Sequence, residues 1–173
     1  ADDIKQNSVW AILGSLVIVF FYILLRFQKW QFSLGAVAAV FHDVLIVLGI
    51  FSLTYKIMPF NMEINQAFIA ALLTVIGYSL NDTVVVFDRI REFFRIHSSW
   101  DSETTVNTAL NSTLSRTLNT SLTTLIVLLA IFIFGGESIR GFMFALIIGV
   151  MVGTYSSVFI ATPIMFDSYK NKN

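Results

Sequence analysis

Apolar positions along the chain run together in five blocks, roughly 8–25, 32–53, 67–87, 116–134 and 142–166. Each block is close to the ~20 residues an α-helix needs to cross ~30 Å of hydrocarbon. Lipid offers the backbone no water to bond, so helices are the conformation that runs of this length take. Polar or turn-forming stretches separate them: "RFQKWQ" after the first, "TYKIMPFNMEINQ" after the second and "GGESIRG" between the last two. A longer polar connection, 88–115, follows the third block. There Ile90, Phe93, Phe94 and His97 share one helical face while Arg89, Glu92 and Arg95 lie elsewhere. That pattern predicts an amphipathic continuation of the third span along the cytoplasmic membrane surface, with a fresh helix starting near Ser102. The expected architecture is an all-α integral membrane protein: one transmembrane domain over 1–173, a bundle of five spanning helices with a cytoplasmic amphipathic helix between the third and fourth.

Composition agrees: 56% of residues are hydrophobic and 13% charged, too greasy for a soluble globular domain. The absence of cysteine removes disulfides and thiolate catalysis. The acidic "ADDIKQN" before the first block is unlike the basic start of a cleavable signal peptide. Assigned to alternate sides, Arg26, Lys29, Arg89, Arg91, Arg95, Arg116, Lys170 and Lys172 oppose Lys5, Lys56 and Arg140. The positive-inside rule then predicts a cytoplasmic C-terminus and an external N-terminus. An external start without a signal peptide implies a preceding span, and so a fragment of a longer protein.

Charged side chains at membrane depth are costly and are functional candidates by default. Asp82, in "GYSLNDTVVVFDRIRE", falls about five residues, or ~7.5 Å of helix rise, inside the end of the third span. Arg116 opens the fourth span in "SRTLNTSLTTL" and shares a face with Asn119, Thr120 and Thr123. That stripe is predicted to face inward, with Asp82 and Arg116 at similar depth and within reach of each other or of a shared water. A carboxylate so placed suits proton carriage, and Arg116, which keeps its proton, would act on it electrostatically. The competing reading is a static packing pair with Ser and Thr as interhelical glue. His42 and Asp43, in "AVFHDVLIV", stand mid-span and have two readings, a place in a proton path or a packing contact. No ligand cluster surrounds His42, so no metal is expected. Gly149 and Gly153 form a G-x-x-x-G face for close helix approach. "GYSLN" is not a hydrolase elbow, and the N-x-[ST] matches at Asn81, Asn111 and Asn119 lie in membrane or cytoplasmic positions.

The strings "LRFQKWQFSLGAVAAVFHDVLIVLGIFSLT", "AALLTVIGYSLNDTVVVFDRIRE", "LSRTLNTSLTTL" and "FIFGGESIRGFMFALIIGVMVGTYSSVFIATP" resemble, in order and through essentially the whole chain, the membrane half of the SecF family. SecF is the partner of SecD in bacterial protein export; the resemblance fits a separate SecF or the SecF half of a fused SecDF. It implies the resistance-nodulation-division superfamily of proton-driven transporters, with the family's periplasmic domain and first helix absent from this chain. It places the family's proton-relay Asp on Asp82 and its essential Arg on Arg116. Asn81, Thr120, His42 and Asp43 are supporting candidates, Thr120 from helical spacing to Arg116. The function implied is use of the proton-motive force to assist preprotein export through the Sec translocon; it is a motor component and not an enzyme. No cofactor is implied beyond the proton gradient. The partners implied are SecD, SecYEG, YajC, preproteins and the lipid bilayer, with no nucleic acid. The location implied is the bacterial cytoplasmic (inner) membrane. Alternatives are a structural membrane scaffold for the translocon and a proton-coupled exporter of a small molecule or lipid.

Overall fold

A computed structural model describes residues 2–170; Lys172, used above in the charge count, lies outside them. The order is α1 (Asp2–Phe27), α2 (Trp30–Thr54), α3 (Gln66–Ile96), α4 (Ser102–Phe134) and α5 (Glu137–Ser156). A π-helical turn (Ser157–Ala161) then joins α5 to α6 (Thr162–Lys170). Among the described residues, five helical stretches are long and apolar enough to cross a membrane, the fifth running through the π turn from Glu137 to Tyr169.

Local chemistry sets each boundary. α1 stops where Gln28 takes a left-handed backbone, φ 56°, its N–H still bonded to the Leu24 carbonyl at 2.8 Å. This lets α2 start after only two residues. Asn65 caps α3 by accepting from the Phe68 amide at 3.1 Å. Asp101 caps α4 from the Thr104 amide at 2.9 Å, and that bond holds its carboxyl below the usual carboxylate range. Pro163 accounts for the π turn: it has no N–H for the Phe159 carbonyl, and its ring crowds that oxygen in an α-helix. The Thr162 hydroxyl instead bonds the Ser157 carbonyl five residues back at 2.9 Å.

The amphipathic helix expected between the third and fourth spans is not a separate element. α3 continues unbroken to Ile96, α4 begins at Ser102, and only 97–101 intervene. At 31 residues α3 is ~46 Å long, and α4, at 33, is longer still. The connection 88–115 is therefore the projecting ends of two spanning helices. No Gly or Pro breaks the chain there. Moreover, the face read as a membrane surface packs inward: Ile90 is fully buried, with Phe93 and Phe94 against the same cluster.

Two apolar clusters hold the bundle. At the end rich in Arg and Lys, Phe27 stacks on Phe32 with centroids 5.0 Å apart and Phe87 meets Phe32 edge-on at 5.1 Å. At the opposite end Phe51 lies against Phe68 at 4.2 Å and Phe60 against Phe132 at 5.6 Å. Helix α5 packs on α2, α3 and α4. It approaches α3 closely because Gly149 and Gly153 carry no Cβ: at Gly149 one would collide with the Val75 side chain, and at Gly153 it would come within 3.0 Å of Ser79 Cβ. The G-x-x-x-G face thus serves packing, as its spacing predicts. By contrast α1 and α4 show many large apolar side chains outward, including Trp10, Leu25, Leu118 and Ile126.

Candidate functional site

Three helices meet around Asp82. The residue is 3% exposed and its one side-chain hydrogen-bond partner among the described residues is Ser121 of α4, whose Oγ stands 3.5 Å from Oδ2. Ser121 in turn accepts from Tyr78 Oη at 3.2 Å, and the Thr154 hydroxyl of α5 lies 2.6 Å away. A carboxylate has about four lone-pair positions to fill. One long hydroxyl contact leaves most of that capacity open.

Arg116 makes no direct ion pair among the described residues and is exposed, yet it stands near enough for its charge to act on the Asp82 carboxyl. The antiparallel register explains this: Asp82 lies opposite Ser121 and Arg89 opposite Ser112, which sets Arg116 beside 85–86, about one turn or ~5 Å nearer the basic end. There it lines a cavity of ≈ 440 Å³ between α3 and α4 with Val85, Asp88, Arg89, Glu92 and Thr113. The acids of this cavity are already engaged, Asp88 with Arg26 at 2.9 Å and Glu92 with Arg89 at 2.7 Å.

The stripe of Arg116, Asn119, Thr120 and Thr123 does not face inward either; all four are exposed. The buried line of α4 is Thr113, Thr117 and Ser121, one face at i, i+4 spacing. These small hydroxyl residues admit α3 and α5 more closely than the longer stripe does. The Thr120 hydroxyl is turned back to the Arg116 carbonyl at 3.0 Å, and Asn81 is exposed beside the buried Asp82.

Asp43 sits in a tighter cage, fully buried on α2. Ser79 of α3 donates to Oδ2 at 2.5 Å, Ser156 of α5 donates to Oδ2 at 2.8 Å, and His42 Nδ1 is 3.1 Å from Oδ1. The outer nitrogen of His42, Nε2, lies 2.9 Å from Tyr155 Oη. The chain Tyr155, His42, Asp43 therefore leads from a partly exposed phenol to a buried carboxylate. His42 and Asp43 do come together, with partners from two other helices. Consecutive residues serve the two acids: Tyr78 and Ser79 on α3, and Thr154, Tyr155 and Ser156 on α5. Asp82 is thus sparsely held and Asp43 richly held, within neighbouring turns. Of these partners Tyr78 and Ser79 stand one helical turn before Asp82 in "GYSLND". "GTYSSV" inside an apolar span was the available sign of Thr154, Tyr155 and Ser156.

The chain matches a family model described as "Protein export membrane protein SecD/SecF, C-terminal" over residues 1–171. It is 58% identical over 167 residues to the protein translocase subunit SecF of Rhodothermus marinus, covering 96% of this chain and 54% of that protein. To the SecF subunit of Haemophilus influenzae it is 45% identical, covering 96% of this chain and 49% of that protein. The chain spans about half the length of these curated relatives. Among solved structures, it superposes on SecDF in a super-membrane-facing form with a TM-score of 0.84 at 40% identity, covering 99% of this chain and 22% of that one. It superposes equally, at 0.84 and 41% identity, on SecDF from Thermus thermophilus, described as a translocon-associated membrane protein, covering 96% and 22%. A multi-span helical bundle, two membrane-depth carboxylates and a match along nearly the whole chain lead to one assignment: the chain belongs to the SecD/SecF C-terminal family of protein export membrane proteins.

Proposed function

We propose that this segment is the membrane half of a SecF-like subunit of the bacterial cytoplasmic membrane, where it couples the proton-motive force to preprotein export through the Sec translocon. The observation that carries this reading is Asp82: a buried carboxyl at membrane depth, with one hydroxyl at 3.5 Å as its bond and no ion pair among the described residues. A carboxylate already paired and saturated has little reason to bind and release a proton, whereas Asp82 has room to do both. In this reading Asp82 takes a proton from the periplasmic side, is neutral while it holds it, and returns it toward the cavity lined by Arg116. Arg116 keeps its charge throughout; movement of α4 along α3 by one turn brings it level with Asp82 and favours proton release. Asn81 and Thr120 flank the path, while His42 and Asp43 orient the helices around it.

The basic end, with the α1–α2 and α3–α4 turns, is assigned to the cytoplasm and the N-terminus of the segment to the periplasm, from the Lys and Arg asymmetry. SecD, or the SecD half of one chain, is the partner assigned to the exposed polar stripe of α4; SecYEG and YajC complete the assembly. The proton gradient is the energy source, with no cofactor assigned. The test is Asp82→Asn in the full-length protein, reconstituted with its complete complex in vesicles that sustain a proton-motive force. The substitution keeps size and one acceptor while removing titration. Loss of the force-dependent stage with normal assembly supports the relay. An undiminished force-dependent stage overturns it and leaves a scaffold.

A further inference from the structure

We propose that the basic end of the bundle carries a binding site for the phosphate of an anionic phospholipid, in a cavity between the α1–α2 turn, the end of α3 and α6. The cavity measures ≈ 430 Å³, within the ~300–1,000 Å³ usual for small-molecule sites. Three cations, Lys29, Arg91 and Arg95, line it together with the aromatic rings of Trp100 and Tyr169, and no acid does. Lys29 and Arg95 form no ion pair among the described residues. Arg91 reaches the Arg26 carbonyl at 3.1 Å and keeps further N–H groups to give.

The acids of this end are turned to other tasks. Asp88 bonds Arg26 at 2.9 Å, with Arg91 at 3.7 Å; Asp101 caps its own helix through Thr104; Glu103 and Asp167 line a separate cavity. The positive charge is therefore uncancelled within the cavity. The Lys29 ammonium is held over the Tyr169 ring, 4.7 Å from its centroid, and His97 stacks on Trp100 at 3.8 Å. Within that stack His97 Nδ1 is sheltered from solvent and has no hydrogen-bond partner.

What makes the ligand a lipid and not a free anion is the surface below the cations. Trp30, next to Lys29, starts an exposed stripe on α2 that continues through Leu34, Phe41 and Leu45, residues at helical spacing on one side of a spanning helix. Ile96, next to Arg95, is exposed as well. Phosphate-binding cations above an aromatic collar and an apolar stripe match an amphiphile with an anionic head and acyl chains, and basic pockets between helices at a membrane boundary bind such heads.

The test uses the full-length protein in mixed micelles, with bound phosphatidylglycerol and phosphatidylcholine counted by native mass spectrometry. Phosphatidylglycerol is expected to bind more tightly than phosphatidylcholine, and less tightly as salt rises. The double variant Lys29→Gln, Arg95→Gln is expected to weaken it by at least about tenfold, the loss of two charge-assisted contacts. Lys56→Gln with Arg140→Gln, which removes the same charge at the opposite end, is expected to leave binding unchanged, as is the charge-keeping pair Lys29→Arg, Arg95→Lys. Equal binding of the two lipids, indifference to salt, or equal loss in the Gln pair and in either control overturns the site. Displacement of the lipid by inorganic phosphate at matched concentration overturns the lipid assignment in favour of a free anion.

Discussion

Ser79 on α3 donates its hydroxyl hydrogen to Asp43 Oδ2 on α2 at 2.5 Å, across 36 positions of sequence. With Ser156 on the same oxygen and His42 on the other, this contact ties three spanning helices to one buried carboxyl.

Removing that carboxyl strands its donors. Asp43→Ala is expected to destabilise the full-length protein by ~2–4 kcal/mol, since each buried polar group left unpaired costs ~1–3 kcal/mol. Asp43→Asn keeps an oxygen for the two serines and is expected to cost less than half as much. Unfolding midpoints in detergent measure both. Equal loss in the two variants would mean that size and not hydrogen bonding holds the cage.

The two classes of glycine separate packing from helix propensity. Gly149→Ala drives a Cβ into Val75, and overpacking of this kind typically costs ~1–3 kcal/mol. Gly49→Ala on α2 meets nothing within 4 Å and is expected to be neutral or stabilising by up to ~1 kcal/mol. The same unfolding assay ranks them. A Gly149 variant as stable as the parent would show that α5 is free to back away from α3.

Asp101 gives α4 a pH-sensitive start. Its carboxyl titrates below the usual range because the Thr104 amide bonds the charged form. A folded-state value below the unfolded one contributes stability that is present above the unfolded value, ~3.9, and is lost as pH falls through the folded value. Hydrogen exchange at the Thr104 amide is expected to be slow above ~pH 5 and to gain speed relative to Asp101→Asn below ~pH 4. Parallel profiles for the two proteins would remove the cap as the cause.

The spans were legible because hydrocarbon imposes a length and the chain obeys it, block by block. The burial of Asp82 followed from its place on a crowded apolar helix. The inward face of α4 was not legible. A polar stripe inside a membrane can meet core, water or a partner chain, and residue types alone do not choose; here Thr113, Thr117 and Ser121 turn in while Arg116 and Thr120 turn out. The amphipathic reading of 88–96 recognised the right face, yet Ile90, Phe93 and Phe94 meet the bundle and not lipid. The Asp43 cage escaped because its partners lie 36 and 113 positions away, a distance over which periodicity carries no information.

The π turn at Ser157–Ala161 makes the last span a rod with two separately set phases. On one side Gly149, Gly153 and Ser156 are aligned to α3 and Asp43; on the other, Ala161 and Met165 are aligned to α2 at Gly35. One extra residue per turn offsets an α-helical face by ~100°, so no single helical wheel describes both halves. An inserted or deleted residue absorbed at this joint leaves the far half in register, and the part of the span that serves the carboxylates can drift in sequence independently of the part that anchors the basic end.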